Sequence, residues 1–128
     1  MTDQDRRFIA AARSLYGGDA AERAAILQDI VWHVPGHNPV SGDYHGFEEF
    51  TQLMPSRMAP LDRWDFALTH VMVNGHFIVA TFRLHGERKG MTVDMGGGHL
   101  LRMSDDGKIA EGWGFAGDQD ALDAFFQA

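Results

Sequence analysis

Apolar residues recur at helical spacing through the front of the chain and at every second position through its back, so the sequence divides where the period changes. In QDRRFIAAARSLYGG, Phe8, Ala11, Ala12, Leu15 and Tyr16 form one stripe, which predicts a helix ended by Gly17 and Gly18. Asp19 is placed to cap a second, short helix over AAERAAILQ, whose apolar residues include Ala25, Ile26 and Leu27. DIVWHV reads as a brief strand broken by Pro35 and Gly36. After a loop, GFEEFTQLMPSRM puts Phe47, Phe50, Met54 and Met58 on one helical face. Pro55 is expected to kink or split that helix, because it removes a backbone donor.

From Trp64 the period is two. RWDFALTHVMV turns at Asn74-Gly75 into HFIVATFRLHG, a hairpin signal. A third long strand, MTVDMGGGHLLRM, carries three consecutive glycines, which predicts a bulge or bend. SDDGK turns into a fourth strand, IAEGWGF, and Asp118 caps a closing helix, QDALDAFFQ. No linker, repeat or low-complexity segment interrupts residues 1–128, so one domain is expected. Helices followed by a meander predict an α+β fold: a cone-shaped, curved antiparallel sheet with helices packed on its concave face.

Composition removes several functions. A chain of 128 residues is long enough to bury about two-thirds of its unfolded surface. With 45% hydrophobic and 23% charged residues it has the balance of a soluble globular protein. The net charge is −7 and no basic run exists, so neither nucleic acid nor anionic membrane is expected as a partner. The absence of cysteine removes disulfides, thiolate metal sites and a thiol nucleophile. MTDQDRRFIAAARSLYGGD has no long apolar core and reads as no signal peptide; a cytoplasmic location is expected. Seven histidines raise the question of metal. His33 and His37 are four apart, but Pro35 lies between them and the segment is not helical. No His-x-His pair precedes a glutamate, the glycine triplet lacks a following lysine, and no G-x-S-x-G occurs, so neither metal nor cofactor is expected.

The order of elements, with GHNPVSGDYHG before the third helix and DDGKIAEGW near the end, resembles the nuclear transport factor 2-like superfamily, and within it the SnoaL-like and ketosteroid isomerase-like branch. That resemblance spans nearly the whole chain. It implies a cystatin-like α+β barrel, often dimeric, whose cone-shaped cavity takes apolar small molecules. Members include isomerases, polyketide cyclases, epoxide hydrolases and dehydratases, so the fold does not by itself give the function. In the isomerases an aspartate base stands before a proline at the end of the first strand; the matching residue is Val34, which carries no proton. Counting back from DDGKI, His99 falls where those enzymes hold a buried acid that hydrogen-bonds the substrate oxygen. Phe115 stands near one acid position of the epoxide hydrolases.

The same resemblance, carried along the strand by alternation, implies that Ile30, Trp32 and Val34 lie on the cavity side of the first strand and His33 on the other. His37, Asn38, Tyr44 and His45 are expected at the cavity rim. His99, Leu101 and Met103 share one face of their strand, and Ile109, Glu111, Trp113 and Phe115 share one face of the next. Asp94 falls on the opposite face from His99 unless a bulge at Gly96–Gly98 resets the register. The candidates are therefore His99 as hydrogen-bond donor or acid–base group, with Asp94, His37 or Tyr44 as the second catalytic group. Trp32, Val34, Asn38, Met54, Leu101, Glu111, Trp113 and Phe115 are candidate ligand contacts. Two readings follow. One is a small cofactor-independent isomerase, cyclase or dehydratase acting by proton transfer on an apolar, oxygen-bearing molecule. The other is a hydrophobic-ligand-binding or dimeric accessory domain. A homodimer is expected in either case.

Overall fold

The computed structural model describes residues 1–128. Thr2 and Asp5 exchange side-chain-to-backbone bonds at the start of α1 (Asp3–Gly17), and Asp19 caps α2 (Ala20–Ile26) by accepting from the Glu22 amide. β1 (Val31–Val34) stops at Pro35 as expected. The loop that follows holds an unforeseen strand, β2 (Gly42–His45), which pairs antiparallel with β1 from Val31 opposite His45 to Val34 opposite Gly42.

The third helix is indeed divided. α3 (Gly46–Glu48) runs into a wider π-type turn over Glu49–Leu53 and then α4 (Met54–Met58), with the Met54 amide donating to the Glu49 carbonyl five residues back. Pro55 sits in the first turn of α4, where a missing N–H is tolerated.

The meander is β3 (Arg63–Asn74), β4 (Phe77–Arg88), β5 (Met91–Met103) and β6 (Ile109–Ala116), closed by α5 (Gln119–Gln127), which Asp118 caps. Asn74 pairs with Phe77, so the hairpin turn is Gly75-His76, one residue later than predicted, with Gly75 at φ +59°. The strand order is β2-β1-β6-β5-β4-β3, and the curved sheet does not close. All pairs are antiparallel except β1 and β6, which run parallel. α1 packs on β3 and β4, and α5 on β5 and β6, so the helices cover the concave side. No helix is long and apolar enough to cross a membrane.

The predicted bulge at the glycine triplet is absent: β4 and β5 pair without a register shift from Phe77–Arg102 to Arg88–Met91. Gly97 serves close packing instead, since a Cβ there would lie 2.8 Å from both the Phe115 carbonyl and the Phe82 ring. The bulges lie elsewhere, between Leu68 and His70 in β3 and where β5 meets β6. Met103 pairs with Ile109 but Arg102 pairs with Glu111, leaving Ala110 as the extra residue. Ile109 therefore faces inward with Met103, while Glu111 and Trp113 turn outward and Gly112, Gly114 and Ala116 take their place inside. The single face expected for Ile109, Glu111, Trp113 and Phe115 is corrected accordingly.

Two apolar clusters result. One joins Phe8 and Ala12 of α1 to Leu27, Ile30, Trp32, Tyr44 and the inward residues Ile78, Leu101, Met103 and Ile109. The other joins Val40, Met58, Phe82, Leu84, Val93 and Met95 to Phe125 and Phe126 of α5. Val34 and Met54 touch both clusters, and the space between the two is a cavity.

Candidate functional site

That cavity measures about 400 Å³ and its wall is mostly apolar. Tyr16, Arg23, Thr51 and His99 supply its hydroxyl, imidazole and charged groups; no aspartate or glutamate lines it. His99 stands at mid-strand on β5, opposite Ala80 on β4 and Gly114 on β6, and these small partners leave space for a ring between them. Trp32 meets the imidazole edge-on at 4.7 Å between centroids, Phe82 lies at 4.8 Å and Phe66 at 5.9 Å. Tyr16 stacks nearly parallel to it, at 5.7 Å and 12°, with its hydroxyl 2.7 Å from Nδ1.

Neither ring carries charge near neutral pH. Burial pushes the His99 imidazolium down to about 3 and raises the Tyr16 phenol above its ordinary value of 10.0. We assign the Tyr16 hydroxyl as donor to Nδ1. The opposite tautomer would leave the phenol proton without a partner, since Tyr16 makes no other side-chain hydrogen bond. Nε2 then carries the imidazole proton. No fully enclosed polar side-chain atom lacks a partner in this protein, so Nε2, which has none, keeps access to the cavity. The cavity thus contains a neutral N–H donor held from behind by a phenol.

Of the residues singled out from the sequence, His99, Trp32, Val34, Met54 and Phe115 line this space, although Phe115 is 60% exposed. Leu101 is fully buried in the first cluster and does not reach the wall. Asp94 lies on the outer face because the unbroken register keeps it opposite in phase to His99. There it accepts from Arg83 at 2.7 Å and approaches His85 at 3.4 Å, and Arg83 holds its carboxyl below the ordinary range. His37 is exposed, its amide donating to Asp123. Asn38 donates to Asp123 and accepts from the Val40 amide, clipping the loop to α5. Tyr44 is not at a rim: it is fully buried, donates to the Val40 carbonyl at 2.6 Å and accepts from Arg57. Glu111 and Trp113 are on the outer face, turned there by the extra Ala110. Glu111 meets His33 Nε2 at 2.6 Å and Arg102 at 3.2 Å, and Trp113 stacks on His33 at 5.4 Å. His33 faces outward as expected, between Asp43 and Glu111, which raise it above its ordinary value. No three His, Asp or Glu side chains converge in a ligand set.

Sequence reading did not assign Tyr16 and Arg23 to the site. Tyr16 had a signal: a phenol inside an apolar helical stripe needs a hydrogen-bond partner, and so does a histidine inside an apolar strand face. Arg23 had none, since a cation near the end of a short helix reads as solvated surface.

A protein-family model described as the SnoaL-like domain matches residues 6–112. Among solved structures, a protein of unknown function with a cystatin-like fold from Xanthomonas campestris is 29% identical over 94% of this chain and 98% of its own, with a TM-score of 0.81. A nuclear transport factor 2-like protein of unknown function from Burkholderia pseudomallei is 16% identical, with both chains covered in full and a TM-score of 0.79. A protein from Jannaschia described as a SnoaL-like polyketide cyclase is 16% identical over 100% of this chain and 96% of its own, at a TM-score of 0.81. At that identity the last two share the fold. No curated protein matches the sequence.

Proposed function

Because the chain belongs to the SnoaL-like domain family, within the nuclear transport factor 2-like superfamily, we propose that it is a small cofactor-independent enzyme acting on an apolar, oxygen-bearing molecule in its cone. The observation that carries this reading is His99, hydrogen-bonded through Nδ1 to Tyr16 and lining a largely apolar space, which leaves Nε2 as the donor assigned above. A fixed donor in low dielectric stabilises negative charge that develops on a substrate oxygen, and needs no reorganisation as that charge grows. With its imidazolium pushed down to about 3, His99 works as a neutral donor rather than as a charged acid.

Enolisation, isomerisation through an enolate and aldol-type ring closure all place charge on such an oxygen. In a ring closure a carbanion carbon bonds to the carbonyl carbon and the carbonyl π pair moves onto oxygen, where His99 donates. No carboxylate lines the wall, so the base comes from outside it: hydroxide or buffer takes the proton from carbon, and its conjugate acid returns one to oxygen.

Exchange of the benzylic α-protons of 2-tetralone in D2O, followed by NMR, tests this chemistry. The wild type is expected to accelerate exchange above buffer. His99→Leu should lose roughly a hundredfold of that rate, the usual effect of deleting an oxyanion donor. Exchange at the buffer rate, with the ketone nonetheless bound, would establish the second reading, a ligand-binding domain without turnover. Val34 before Pro35 and the carboxylate-free wall favour that second reading.

We also propose that two copies associate through the outer face of the sheet. Met72, Val79, Leu100 and Trp113 lie side by side on successive strands β3 to β6. The charges beside this row are paired within the chain, Arg83 with Asp94 and Arg102 with Glu111, so the face is locally balanced despite a net charge of −7. Sedimentation velocity reads the state directly.

A further inference from the structure

Among the polar groups that line the cavity, Arg23 has no role in the reading above. It projects from α2, just across the Gly17-Gly18 corner from Tyr16, and its side chain is partly covered. A guanidinium has five N–H donors. In Arg23 only Nη1 has a partner, the backbone carbonyl of Gly18, and no carboxylate comes within ion-pair distance.

The chain carries 18 carboxylate residues against 11 lysines and arginines, so a cation left without one is not a matter of supply. The acids nearest in sequence are engaged elsewhere. Asp19 caps α2 through the Glu22 amide, and the Glu22 carboxylate accepts from Ser14. Arg23 Nη1 is thus spent on the Gly18 carbonyl at the end of α1, and its remaining donors stay free at the wall of a cavity that contains no anion of its own.

We propose that Arg23 is the anchor for an anionic group on the ligand, so that the molecule taken by the cone is an apolar carboxylic or comparable oxyacid bearing a second oxygen for His99. This inference rests on the cavity reading above and narrows its substrate class. The two polar groups divide the work. Arg23 offers a planar, permanently charged fork that suits a carboxylate. His99 offers one neutral N–H inside an aromatic cage, which suits a carbonyl or an enol oxygen and would desolvate a full carboxylate poorly. An amphipathic acid therefore enters in one direction only, apolar body and ketone inward, carboxylate at the α1–α2 corner.

The test compares 4-benzoylbenzoate, which has both groups, with its neutral primary amide, by calorimetric titration at neutral pH and low salt. The acid is expected to bind roughly tenfold or more tightly than the amide, the scale of one charge-assisted contact. Arg23→Gln should erase that advantage, weakening the acid far more than the amide, Arg23→Lys should keep part of it, and added salt should weaken the acid more than the amide. Equal binding of acid and amide by the wild type would overturn the anchor. So would an acid preference that survives in R23Q. In either case an amide affinity that still falls in His99→Leu leaves the cavity reading standing. Binding of neither probe at millimolar concentration would remove both.

Discussion

His99 carries the residue-scale argument, and its protonation has a consequence for stability. In the folded chain its imidazolium is pushed down to about 3 from the ordinary 6.5. Between those values the unfolded chain binds a proton that the folded chain refuses, so stability rises with pH there and is lost on acidification. The loss is on the order of 1 kcal/mol for each pH unit between those two values. His33 acts with the opposite sign. Asp43 and Glu111 raise it, so its contribution is complete at low pH and fades as pH rises through its folded value. Denaturation midpoints measured down the acid range should therefore fall for the wild type and fall less steeply for His99→Leu. Nitrogen-15 spectra of the same samples should show His99 as the neutral Nε2–H tautomer throughout. A half-titration near the ordinary value would end the argument for a caged imidazole. The face that His99 shares with Leu101 and Met103 was legible from strand alternation, and its inward side from the family resemblance, but its partner Tyr16 lies 83 residues away and no local pattern links them.

At the scale of elements, the sequence was clear wherever a period ran for ten residues and unclear where one residue changed it. α1, the β3–β4 hairpin and the capped α5 were all legible. β2 was not, because a four-residue strand that starts on Gly42 and stops before Gly46 presents no alternation to read. The extra Ala110 was invisible for a different reason: an ordinary alanine carries no bulge signal, and the shift is seen only in how β6 pairs with β5. That bulge places Gly112 under Trp32, whose ring carbon would lie 2.2 Å from a Cβ there, and so lets the indole reach His99. The glycine triplet, read as a bulge or bend, pairs without a bulge, and its Gly97 serves close packing. Gly97→Ala should destabilise the fold by about 1–3 kcal/mol, since the carbonyl of Phe115 cannot move far. Gly96→Ala meets nothing closer than 3.9 Å and should be close to neutral. Chemical denaturation of the two variants separates them; equal losses would contradict the packing account.

For the whole molecule, the curvature of one sheet sets both surfaces that matter. Its concave side, roofed by the helices, holds the cavity with His99, and its convex side presents the row from Met72 to Trp113. Met72 and Val79 there are 54% and 39% exposed. Leu100→Glu puts an unpaired charge at the centre of that row and should convert a dimer to a monomer in sedimentation velocity, with circular dichroism unchanged. An unchanged sedimentation coefficient would dismiss this face as the contact. Legible in the chain alone were the α+β class, the order of elements, the faces that Trp32 shares with Val34 and His99 with Leu101, and the absence of an ionisable group at Val34. Each of these follows from local periodicity or from the identity of a single residue. The fold in three dimensions set the pairing of Tyr16 with His99, the outward turn of Glu111 and Trp113, the burial of Tyr44 and the placing of Arg23 at the cavity wall without a carboxylate partner. These depend on register and on contacts between distant segments, which side-chain period does not encode.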